Sequence, residues 1–304
     1  MKPNSRAKLE TLSPVWDEYE LLDTGSGRKL ERFGPITLIR PEPQAAWGPS
    51  LPPKMWDPAH GEFVQRHRTK RGEWKFSKGV PSRWEMRRKS LAFWVQPTPS
   101  GHLGVFPDQA SHWDWLTSQM KSALAPPKVL SLFGYTGLAT LSAAAAGAHV
   151  THVDASRQAI KWARENQSLS QLAERPIRWI VDDAQAFVAR EIRRGQTYDA
   201  LILDPPRFGR GPKGELWKVD ESLPALLRQC RKLLSCNPLF VLLNTYTTVL
   251  TRNQTKNEAL QLESFLKETL SDFALRFTSG ELVFTDASGH QISNSVFTRA
   301  TVTL

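Results

Sequence analysis

Four short segments of this sequence carry groups that can recognise a polar ligand. Each follows a run of apolar residues, and together they are residues 133–137 (FGYTG), Asp154, residues 182–184 (DDA) and residues 204–208 (DPPRF). Glycine lets the backbone turn tightly and approach a ligand, and carboxylates accept hydrogen bonds from hydroxyl and amino groups. The set therefore predicts a site for a ligand that carries such groups.

The apolar runs before these segments have the length of buried strands, and helical patterns separate them. Strands are predicted at 128–133, 150–153, 177–181, 200–203 and 239–243, with two more at about 281–285 and 295–302. Helices are predicted at 112–124, 156–168, 184–194, 223–234 and 257–271, with a helix of small residues ending at Ala148. This alternation predicts an α/β fold with a doubly wound parallel sheet. Ligands of such sheets bind outside the carboxyl ends of the strands, where the four segments are expected to meet.

Residues 1–110 differ in composition from the rest of the chain. Eight of the eleven tryptophans lie at or before Trp115, and proline and arginine are frequent. Short strands are predicted at 19–22 and 35–40 around a turn at 24–27, and another at 91–96. We therefore predict a small, mostly β N-terminal module (1–110) that recognises the substrate, followed by a ligand-binding domain (111–304).

The acids and the glycine loop also have purely structural interpretations. Asp154 can accept hydrogen bonds from both hydroxyls of a ribose, but an acid there, or Ser156, can also cap the next helix. Asp182 or Asp183 can accept an adenine amino group, and one of them can be a helix cap alone. The FGYTG loop lacks the third glycine of GxGxxG, so it suits a dinucleotide pyrophosphate less well, and a plain strand-to-helix turn stays open.

The DPPRF segment is the most specific of the four. Pro205 and Pro206 fix the backbone and lack N–H donors, so carbonyl oxygens and the Asp204 side chain are left as acceptors. A substrate amine or ring can be held against them, with Phe208 available for stacking. A structural turn is the alternative, but it explains the two prolines poorly at the end of a fourth strand that faces the same site.

The run from Val129 to Thr247 resembles the class I S-adenosylmethionine-dependent methyltransferases. More narrowly, it resembles the branch that contains the large-subunit ribosomal RNA cytosine-C5 and guanine-N7 methyltransferases. The FGYTG loop, Asp154, the DDA step and DPPRFGRG carry the resemblance. Residues 104–109 (GVFPDQ) are similar to the family's segment that covers the cofactor. The resemblance extends over about residues 90–304, and the first ~90 residues resemble the N-terminal part of a bacterial subgroup of this branch.

The resemblance implies a seven-stranded, Rossmann-like methyltransferase sheet with S-adenosylmethionine as cofactor. By this likeness Phe133, Gly134 and Gly137 line the methionine end, Asp154 holds the ribose, Asp183 holds the adenine amine, and Gln109 closes over the cofactor. The same likeness places Asp204, Pro205 and Pro206 towards the methyl-accepting group. We expect the neighbouring residues of these motifs to line the cofactor as well: Tyr135, Thr136, Ser156, Asp182 and Ala184.

The two cysteines do not fit the covalent chemistry of the C5 branch. Methylation at cytosine C5 needs a thiolate that adds to the ring. Cys230 falls on the helix before the fifth strand and Cys236 at the entry to that strand, the far side of the sheet from the site. We expect both to be buried or partly buried structural residues, and we predict transfer to nitrogen or oxygen. Two cysteines also give no disulfide framework and no zinc-ligand set, and no metal site is predicted.

The net charge of +10 is concentrated in one segment. Residues 66–89, from Arg66 to Lys89, carry ten lysines and arginines against two glutamates, interleaved with Trp74, Phe76 and Trp84. A second basic loop from Arg207 to Lys218, which includes Arg210 and Lys213, adjoins the DPP motif. Cations neutralise phosphates and aromatic rings stack on exposed bases, so RNA is the predicted partner. A solvated charged loop, or an anchor for buried tryptophans, is the alternative.

Other functions stay open at this stage. No run approaches the ~20 apolar residues of a membrane helix, and the first ten residues have no apolar signal core, so a cytoplasmic location without membrane contact is predicted. A methyltransferase for a protein or small molecule is one alternative, and a non-catalytic RNA-binding protein that kept the fold is another. A nicotinamide dehydrogenase fits least. Tyr246, Thr247 and residues 91–109 are expected to shape the acceptor pocket, while the target nucleotide, accepting atom and oligomeric state are undetermined.

Overall fold

The computed structural model describes residues 9–65, 72–121, 123–246 and 252–302. The strands are β1 (Glu10–Leu12), β2 (Tyr19–Gly25), β3 (Arg28–Phe33), β4 (Ile36–Pro41), β5 (Gly61–Gln65), β6 (Gly72–Phe76), β7 (Trp84–Arg88), β8 (Leu91–Val95), β9 (Lys128–Leu132), β10 (His149–Asp154), β11 (Ile177–Val181), β12 (Ala200–Leu203), β13 (Phe208–Arg210), β14 (Leu216–Lys218), β15 (Phe240–Tyr246), β16 (Leu275–Thr285) and β17 (Gln291–Val302). The helices are α1 (Pro53–Trp56), α2 (Ala110–Lys121), α3 (Leu138–Ala145), α4 (Arg157–Leu169), α5 (Ala184–Arg193), α6 (Val219–Arg231) and α7 (Arg252–Thr269), with a 3₁₀ turn at Pro107–Gln109.

One sheet of eight strands, in the order β1-β16-β17-β15-β12-β9-β10-β11, organises the molecule. The five strands from β15 to β11 run parallel, and β17 is antiparallel to both of its neighbours. Every residue of β12 is buried, as expected for a parallel strand covered by helices on both faces. The predicted doubly wound α/β fold is confirmed.

The chain changes direction across this sheet between β9 and β12. From β9 it proceeds outward to β10 and β11, and then returns past β9 to form β12 on the other side. Such a switch point leaves a crevice at the carboxyl ends of the two central strands, because the loops after them lead to opposite sides. The segments that follow β9, β10, β11 and β12 are the four segments that the sequence marks for ligand contact.

The eighth strand was not expected from the sequence. β1 pairs in parallel with β16, with Glu10 opposite Gly280 and Leu12 opposite Leu282. A three-residue strand has too short an apolar pattern to be recognised before its partner is known. The N-terminal part of the chain therefore adds a strand to the edge of the main sheet.

The rest of the N-terminal part is richer in strands than predicted. β2 to β6 form a five-stranded sheet, and β7 pairs with β8. β3 was missed because four of its six residues are charged (RKLERF). Its buried Glu31 accepts two hydrogen bonds from Arg40, at 2.7 and 2.8 Å, and one from the Tyr19 hydroxyl at 2.9 Å. This pairing offsets the desolvation of a charge inside the sheet.

Gly280 offers a test of the β1 pairing. A Cβ at this position would lie 2.0 Å from the backbone oxygen of Glu10, so Gly280→Ala must push β1 away from β16. We expect a loss of about 1–3 kcal/mol in the free energy of unfolding, measured by chemical denaturation. Gly48→Ala is the matched control, because a Cβ there meets no atom within 4 Å. Equal stability of the two variants would contradict the pairing.

Candidate functional site

A cavity of about 320 Å³ lies at the carboxyl ends of the central strands. Its walls come from the loop after β9, the ends of β10, β11 and β12, and the β13–β14 ribbon. The lining includes the predicted site residues Phe133, Tyr135, Asp154, Ser156, Asp182, Asp183, Ala184, Asp204 and Pro206. Gln109, Gly134 and Thr136 line an adjoining cavity of about 50 Å³, which Tyr135 and Asp204 share with the larger one. Two neighbouring cavities therefore hold most of the predicted residues.

The FGYTG loop has a tight and unusual backbone. Phe133 and Tyr135 have φ values of +58° and +50°, and Gly137, at the start of α3, has +87°. Left-handed conformations are uncommon for residues other than glycine, and they cluster at ligand sites. Gly134 is required for a different reason, because a Cβ there would lie 2.3 Å from the imidazole of buried His152. The loop therefore exposes backbone to the cavity at a position where no side chain fits.

Asp154 fixes this loop to the end of β10. Its Oδ2 accepts the Tyr135 N–H at 2.9 Å, and its Oδ1 accepts the Ser156 N–H at 2.8 Å. Burial raises the pKa of the Asp154 carboxyl, and the two N–H donors act in the opposite direction. Each carboxylate oxygen still has a second lone pair with which to accept a ligand hydroxyl. The helix cap is supplied by Ser156, whose hydroxyl accepts the Ala159 N–H at 3.2 Å.

The two acids after β11 have different partners. Asp183 is the N-cap of α5, and its Oδ1 accepts the Ala186 N–H at 2.9 Å. Asp182 forms an ion pair with Arg190 and accepts the Asp183 N–H at 3.0 Å. Both residues also line the larger cavity, so the capping role of Asp183 does not remove it from the site.

The segment of residues 104–109 is fastened to the loop and to α4. The Thr136 hydroxyl donates to the Gly104 carbonyl at 2.6 Å, and the Asn166 side chain donates to the Thr136 carbonyl at 3.0 Å. Gly104 has φ +83°, and a Cβ there would lie 2.1 Å from the Trp162 ring. The Nε2 atom of buried Gln109 has no hydrogen-bond partner among the described residues. The Gln109 side chain acts on the pKa of Tyr246 as a hydrogen-bonding group, so its amide lies close to the Tyr246 hydroxyl.

Asp204, at the end of β12, is partly buried between two donors. Asn244 Nδ2 donates to its Oδ1 at 2.8 Å, and the Tyr246 hydroxyl donates to its Oδ2 at 3.1 Å. Burial raises the pKa of Asp204 to about 7, and the charge of Asp108 acts in the same direction, while the two donors lower it. Asp204 can thus change protonation near neutral pH, which is unusual for an aspartate.

The rest of the DPPRF segment leads into the β13–β14 ribbon. The Trp217 indole donates to the Pro206 carbonyl at 2.6 Å and packs against Phe133, with ring centroids 4.7 Å apart. Pro205 is buried, while Pro206 lines the cavity. Phe208 lies on the other face of the ribbon from Trp217 and is 61% exposed. The aromatic wall of the cavity is therefore formed by Phe133 and Trp217 rather than by Phe208.

Several residues of the site were not singled out from the sequence, although His102 and Phe106 fall within residues 91–109, which were expected to shape the acceptor pocket. His102, Phe106 and Trp217 line the larger cavity, and Asn244 lines the smaller one. Phe106 packs between Tyr135 and Tyr246, with ring centroids 5.7 and 5.5 Å away. Asn244 could have been suggested by its place at the end of the fifth strand and Phe106 by its place in the GVFPDQ segment, whereas Trp217 lies in the second basic loop, whose pattern indicates charge and not a cavity wall. Tyr246 lines the larger cavity, and Thr247 lies outside the described residues.

Both cysteines lie away from the cavities. Cys230, on α6, is buried in the core, and burial raises the pKa of its thiol to about 12. Cys236 is exposed, which corrects the expectation that both thiols are buried, because it lies in the turn between α6 and β15. That turn precedes β15 at the amino end of the strand, opposite the site. No thiolate is therefore placed to attack a ligand in either cavity formed by the described residues.

Within the described ranges, no cluster of three or more histidine, cysteine or acidic side chains could hold a metal ion. Across the same residues, no helix is both long and apolar enough to cross a membrane.

Several known proteins are similar to this chain. A crystal structure of an S-adenosylmethionine-dependent methyltransferase from Agrobacterium tumefaciens is 40% identical, with a TM-score of 0.89, and the match covers 97% of this chain and 94% of that one. The ribosomal RNA large subunit methyltransferase K/L of Hahella chejuensis is 28% identical over 57% of this chain and 24% of its own length. The protein of the same name from Syntrophotalea carbinolica is 37% identical over 41% of this chain and 17% of its own length. The chain thus spans less than a quarter of the length of these curated relatives, and no family model matches it.

The raised pKa of Asp204 predicts a pH-dependent cost to stability. A folded-state pKa of about 7, above an unfolded value of about 3.9, means that the folded state holds the proton more tightly. The stability that this provides is present at low pH and is lost as the pH rises through about 7. We expect Asp204→Asn to gain stability relative to the wild type between pH 5 and pH 8.5, as measured by chemical denaturation.

The control for this measurement is Asp220→Asn, on the exposed first turn of α6. Its difference from the wild type should be the same at both pH values. Parallel stability curves for Asp204→Asn and the wild type would show that Asp204 does not titrate in this range.

Proposed function

Because this chain belongs to the S-adenosylmethionine-dependent methyltransferases, we propose that it methylates a base of RNA, with ribosomal RNA as the expected substrate. The methyl group passes directly to a nitrogen of the base, without a covalent cysteine intermediate. The observation that carries this proposal is the placement of Asp204 between the cofactor loop and an aromatic acceptor wall, with both cysteines elsewhere.

The larger cavity suits the cofactor in size and in its hydrogen-bonding groups. Cavities of about 300 Å³ and more accommodate ligands of this class, and acids at two strand ends supply acceptors for hydroxyls and an amine. We assign Asp154 to the ribose and Asp183 to the adenine amine. The loop residues Phe133, Gly134 and Gly137 are assigned to the methionine end, and Gln109, which lines the smaller cavity with Gly134, is assigned to close over the cofactor.

The remaining residues assigned to the cofactor flank these contacts. Tyr135, Ser156, Asp182 and Ala184 line the larger cavity and Thr136 the smaller one, which supports their assignment.

S-adenosylmethionine supplies a methyl group that its positively charged sulfur already activates for transfer. The protein's contribution is therefore chiefly to bring the acceptor into line and to remove water. Asp204 is assigned to the acceptor, because its ionised carboxylate can accept a hydrogen bond from an N–H group and take up the proton that leaves. Phe106 and Tyr246, which line both the larger cavity and a neighbouring groove of about 480 Å³, form an acceptor wall against which a flat base can lie.

Direct transfer follows from the position of the thiols. A covalent route would need a cysteine thiolate in contact with the base, and burial holds the Cys230 thiol protonated, with its pKa raised to about 12. Cys236 lies at the amino end of β15, opposite the cavity. A nitrogen acceptor would need no such nucleophile from the protein, because it carries a lone pair of its own.

The β13–β14 ribbon supports an RNA partner. Phe208 pairs with Lys218 and Arg210 with Leu216, so these four side chains share the outer face of the ribbon. An exposed ring between two cations can stack on a base while the cations contact phosphates. The ribbon borders the cavity through Gly209, so RNA bound to its outer face would reach the acceptor wall.

The basic segment of residues 66–89 divides into two kinds of side chain. Lys75, Lys78 and Phe76 are exposed and available for RNA contact. By contrast, Trp84 and Arg88 are buried, and Arg88 Nη1 donates to Asp114 Oδ1 at 2.7 Å. We assign these two residues to anchoring the N-terminal part, which is the structural alternative for this segment. Residues 66–71 lie outside the described residues.

We assign substrate recognition to the N-terminal module of residues 1–110. Gln65, at the end of β5, lines a groove of about 480 Å³ that also contains His102, Phe106 and Tyr246 of the larger cavity. A substrate held by the N-terminal strands can therefore extend along this groove to the acceptor wall.

The cofactor assignment predicts the effect of removing one carboxylate. Asp154→Ala should weaken S-adenosylmethionine binding by about 10- to 100-fold, since charged hydrogen bonds to the ribose are lost. Isothermal titration calorimetry measures this, and NAD should not bind. Asp199→Ala is the control, because Asp199 also accepts a backbone N–H, from Lys128, but at the opposite end of the sheet. Equal losses in both variants would contradict the assignment.

The acceptor assignment predicts the product. Labelled S-adenosylmethionine and total RNA from a strain that lacks the protein should give a labelled N-methyl base, with wild type and with the Cys230→Ser, Cys236→Ser double variant alike. Nucleoside analysis after digestion identifies the product. Labelled 5-methylcytosine, lost in a folded double variant, would overturn direct transfer. Cofactor binding without label in RNA would move the assignment to a protein or small-molecule acceptor.

The ribbon assignment predicts a change in salt dependence. Lys213→Glu with Lys218→Glu should weaken RNA binding and reduce the slope of log K against log salt by about 1.4–1.8, if each lysine neutralises one phosphate. Fluorescence anisotropy at several salt concentrations measures the slope. Arg228→Glu with Lys232→Glu makes the same change in charge at the far end of α6, and this double variant should leave the slope nearly unchanged. Equal slopes for the two double variants would remove the ribbon from the RNA surface.

A further inference from the structure

A buried arginine and histidine lie behind Asn244 and have no part in the function so far. Arg299 of β17 and His112 of α2 are 7% and 1% exposed. Nη2 of Arg299 donates to His112 Nδ1 at 2.7 Å and to the Ser111 carbonyl at 3.1 Å. The guanidinium lies over the rings of Trp115 and Phe297, 4.8 Å from each centroid.

The arginine fixes which nitrogen of His112 carries the proton. A guanidinium has five N–H donors and no acceptor, so Nδ1 of His112 must offer its lone pair. A neutral imidazole that accepts at Nδ1 carries its proton on Nε2. Burial, and then the positive charge of Arg299, lower the pKa of His112 well below its ordinary value, which keeps the ring neutral. His112 therefore has one donor left, at Nε2.

Asn244 has the complementary group left over. Because a carboxylate accepts hydrogen bonds, the Asn244 amide turns its NH₂ towards Asp204 Oδ1, at 2.8 Å. Its own Oδ1 is then free to accept. Among the described residues, His112 Nε2 and Asn244 Oδ1 are both buried and neither has a hydrogen-bond partner, and both residues line the smaller cavity. The Asn244 side chain acts on the pKa of His112 as a hydrogen-bonding group.

We propose that Arg299 and His112 are positioning residues that fix the direction of a hydrogen-bond chain running from Arg299 through His112 and Asn244 to Asp204. In this chain His112 donates from Nε2 to Asn244 Oδ1. The Asn244 amide is then held in one of its two orientations, with the NH₂ group on Asp204. The reverse orientation would place the amide oxygen against the carboxylate and the NH₂ group against the His112 N–H. The link to methyl transfer rests on the proposed function, but the direction of the chain does not.

This hydrogen-bond chain matters because it ends on Oδ1 of Asp204. Tyr246 donates to the other oxygen, and the Asp108 charge opposes ionisation from the other side. At the far end, Arg299 is influenced by the charge of Glu10. With Asn244 fixed as a donor, the ionised form of Asp204 is favoured, which is the form that can accept a hydrogen bond from an acceptor amine.

The tautomer of His112 tests the chain without any assay of activity. Two-bond ¹H–¹⁵N correlation spectra of the protein labelled at histidine should show His112 as a neutral ring protonated at Nε2 from pH 5 to pH 9. The signal is assigned by its loss in His112→Gln. A proton on Nδ1, or a ring that titrates near its ordinary pKa of about 6.5, would overturn the proposal.

Variants test whether the chain reaches Asp204. His112→Met removes the donor, which frees the Asn244 amide to rotate, and the pH at which the Asp204-linked stability is lost should rise by about one unit. His112→Gln, which can accept from Arg299 and donate to Asn244, should restore it. His152→Met replaces another buried histidine, whose Nδ1 is bonded to Thr140, and should leave the midpoint unchanged. An unshifted midpoint in His112→Met, or equal shifts in both methionine variants, would contradict the coupling. Neither readout depends on methyl transfer, so failure here is distinct from failure of the proposed function.

Discussion

The site depends on keeping an aspartate able to ionise while it is partly withdrawn from water. Asp204 lies at the end of a fully buried strand, and desolvation alone would hold its carboxyl neutral. The amide of Asn244 and the hydroxyl of Tyr246 offset that cost, and both come from β15, the strand beside β12. The parallel pairing of these two strands therefore determines which donors reach Asp204, to which we assign the methyl acceptor. Any change in register between them would separate the carboxylate from its donors.

The cofactor end is held by a different set of contacts. Asp154 accepts the backbone N–H of Tyr135, which stabilises a loop with two residues in left-handed conformation. The same loop is fastened through Thr136 to Gly104, just outside the main sheet. Further along α4, Trp162 donates to the Trp94 carbonyl at 3.1 Å. The FGYTG loop and the segment before α2 thus form one packed unit, which places the proposed cofactor end in direct contact with the N-terminal part.

Much of this arrangement could be predicted from the sequence, because the central strands are short apolar runs with polar ends. That pattern placed Asp154, Asp183 and Asp204 at one edge of the sheet before any coordinates were known. The β3 strand was missed because its pattern is charged, and only tertiary pairing of Glu31 with Arg40 makes it a sheet strand. Phe208 was expected in the cavity, but strand alternation on the β13–β14 ribbon turns it outward and brings Trp217 inward. The packing of Phe106 between Tyr135 and Tyr246 depends on tertiary contacts, which local patterns do not encode.

The role assigned to Asp204 is tested most directly by the pH dependence of the methyl-transfer rate at saturating cofactor, measured for the wild type and for Asp204→Asn. If ionised Asp204 receives the acceptor N–H, the wild-type rate should fall about tenfold per pH unit below about pH 7 and be level above it. Asp204→Asn should be slower, and its rate should not change over the same range. A wild-type rate that is constant from pH 5.5 to pH 8.5, matched by an equally active Asp204→Asn, would contradict the role assigned to this carboxylate.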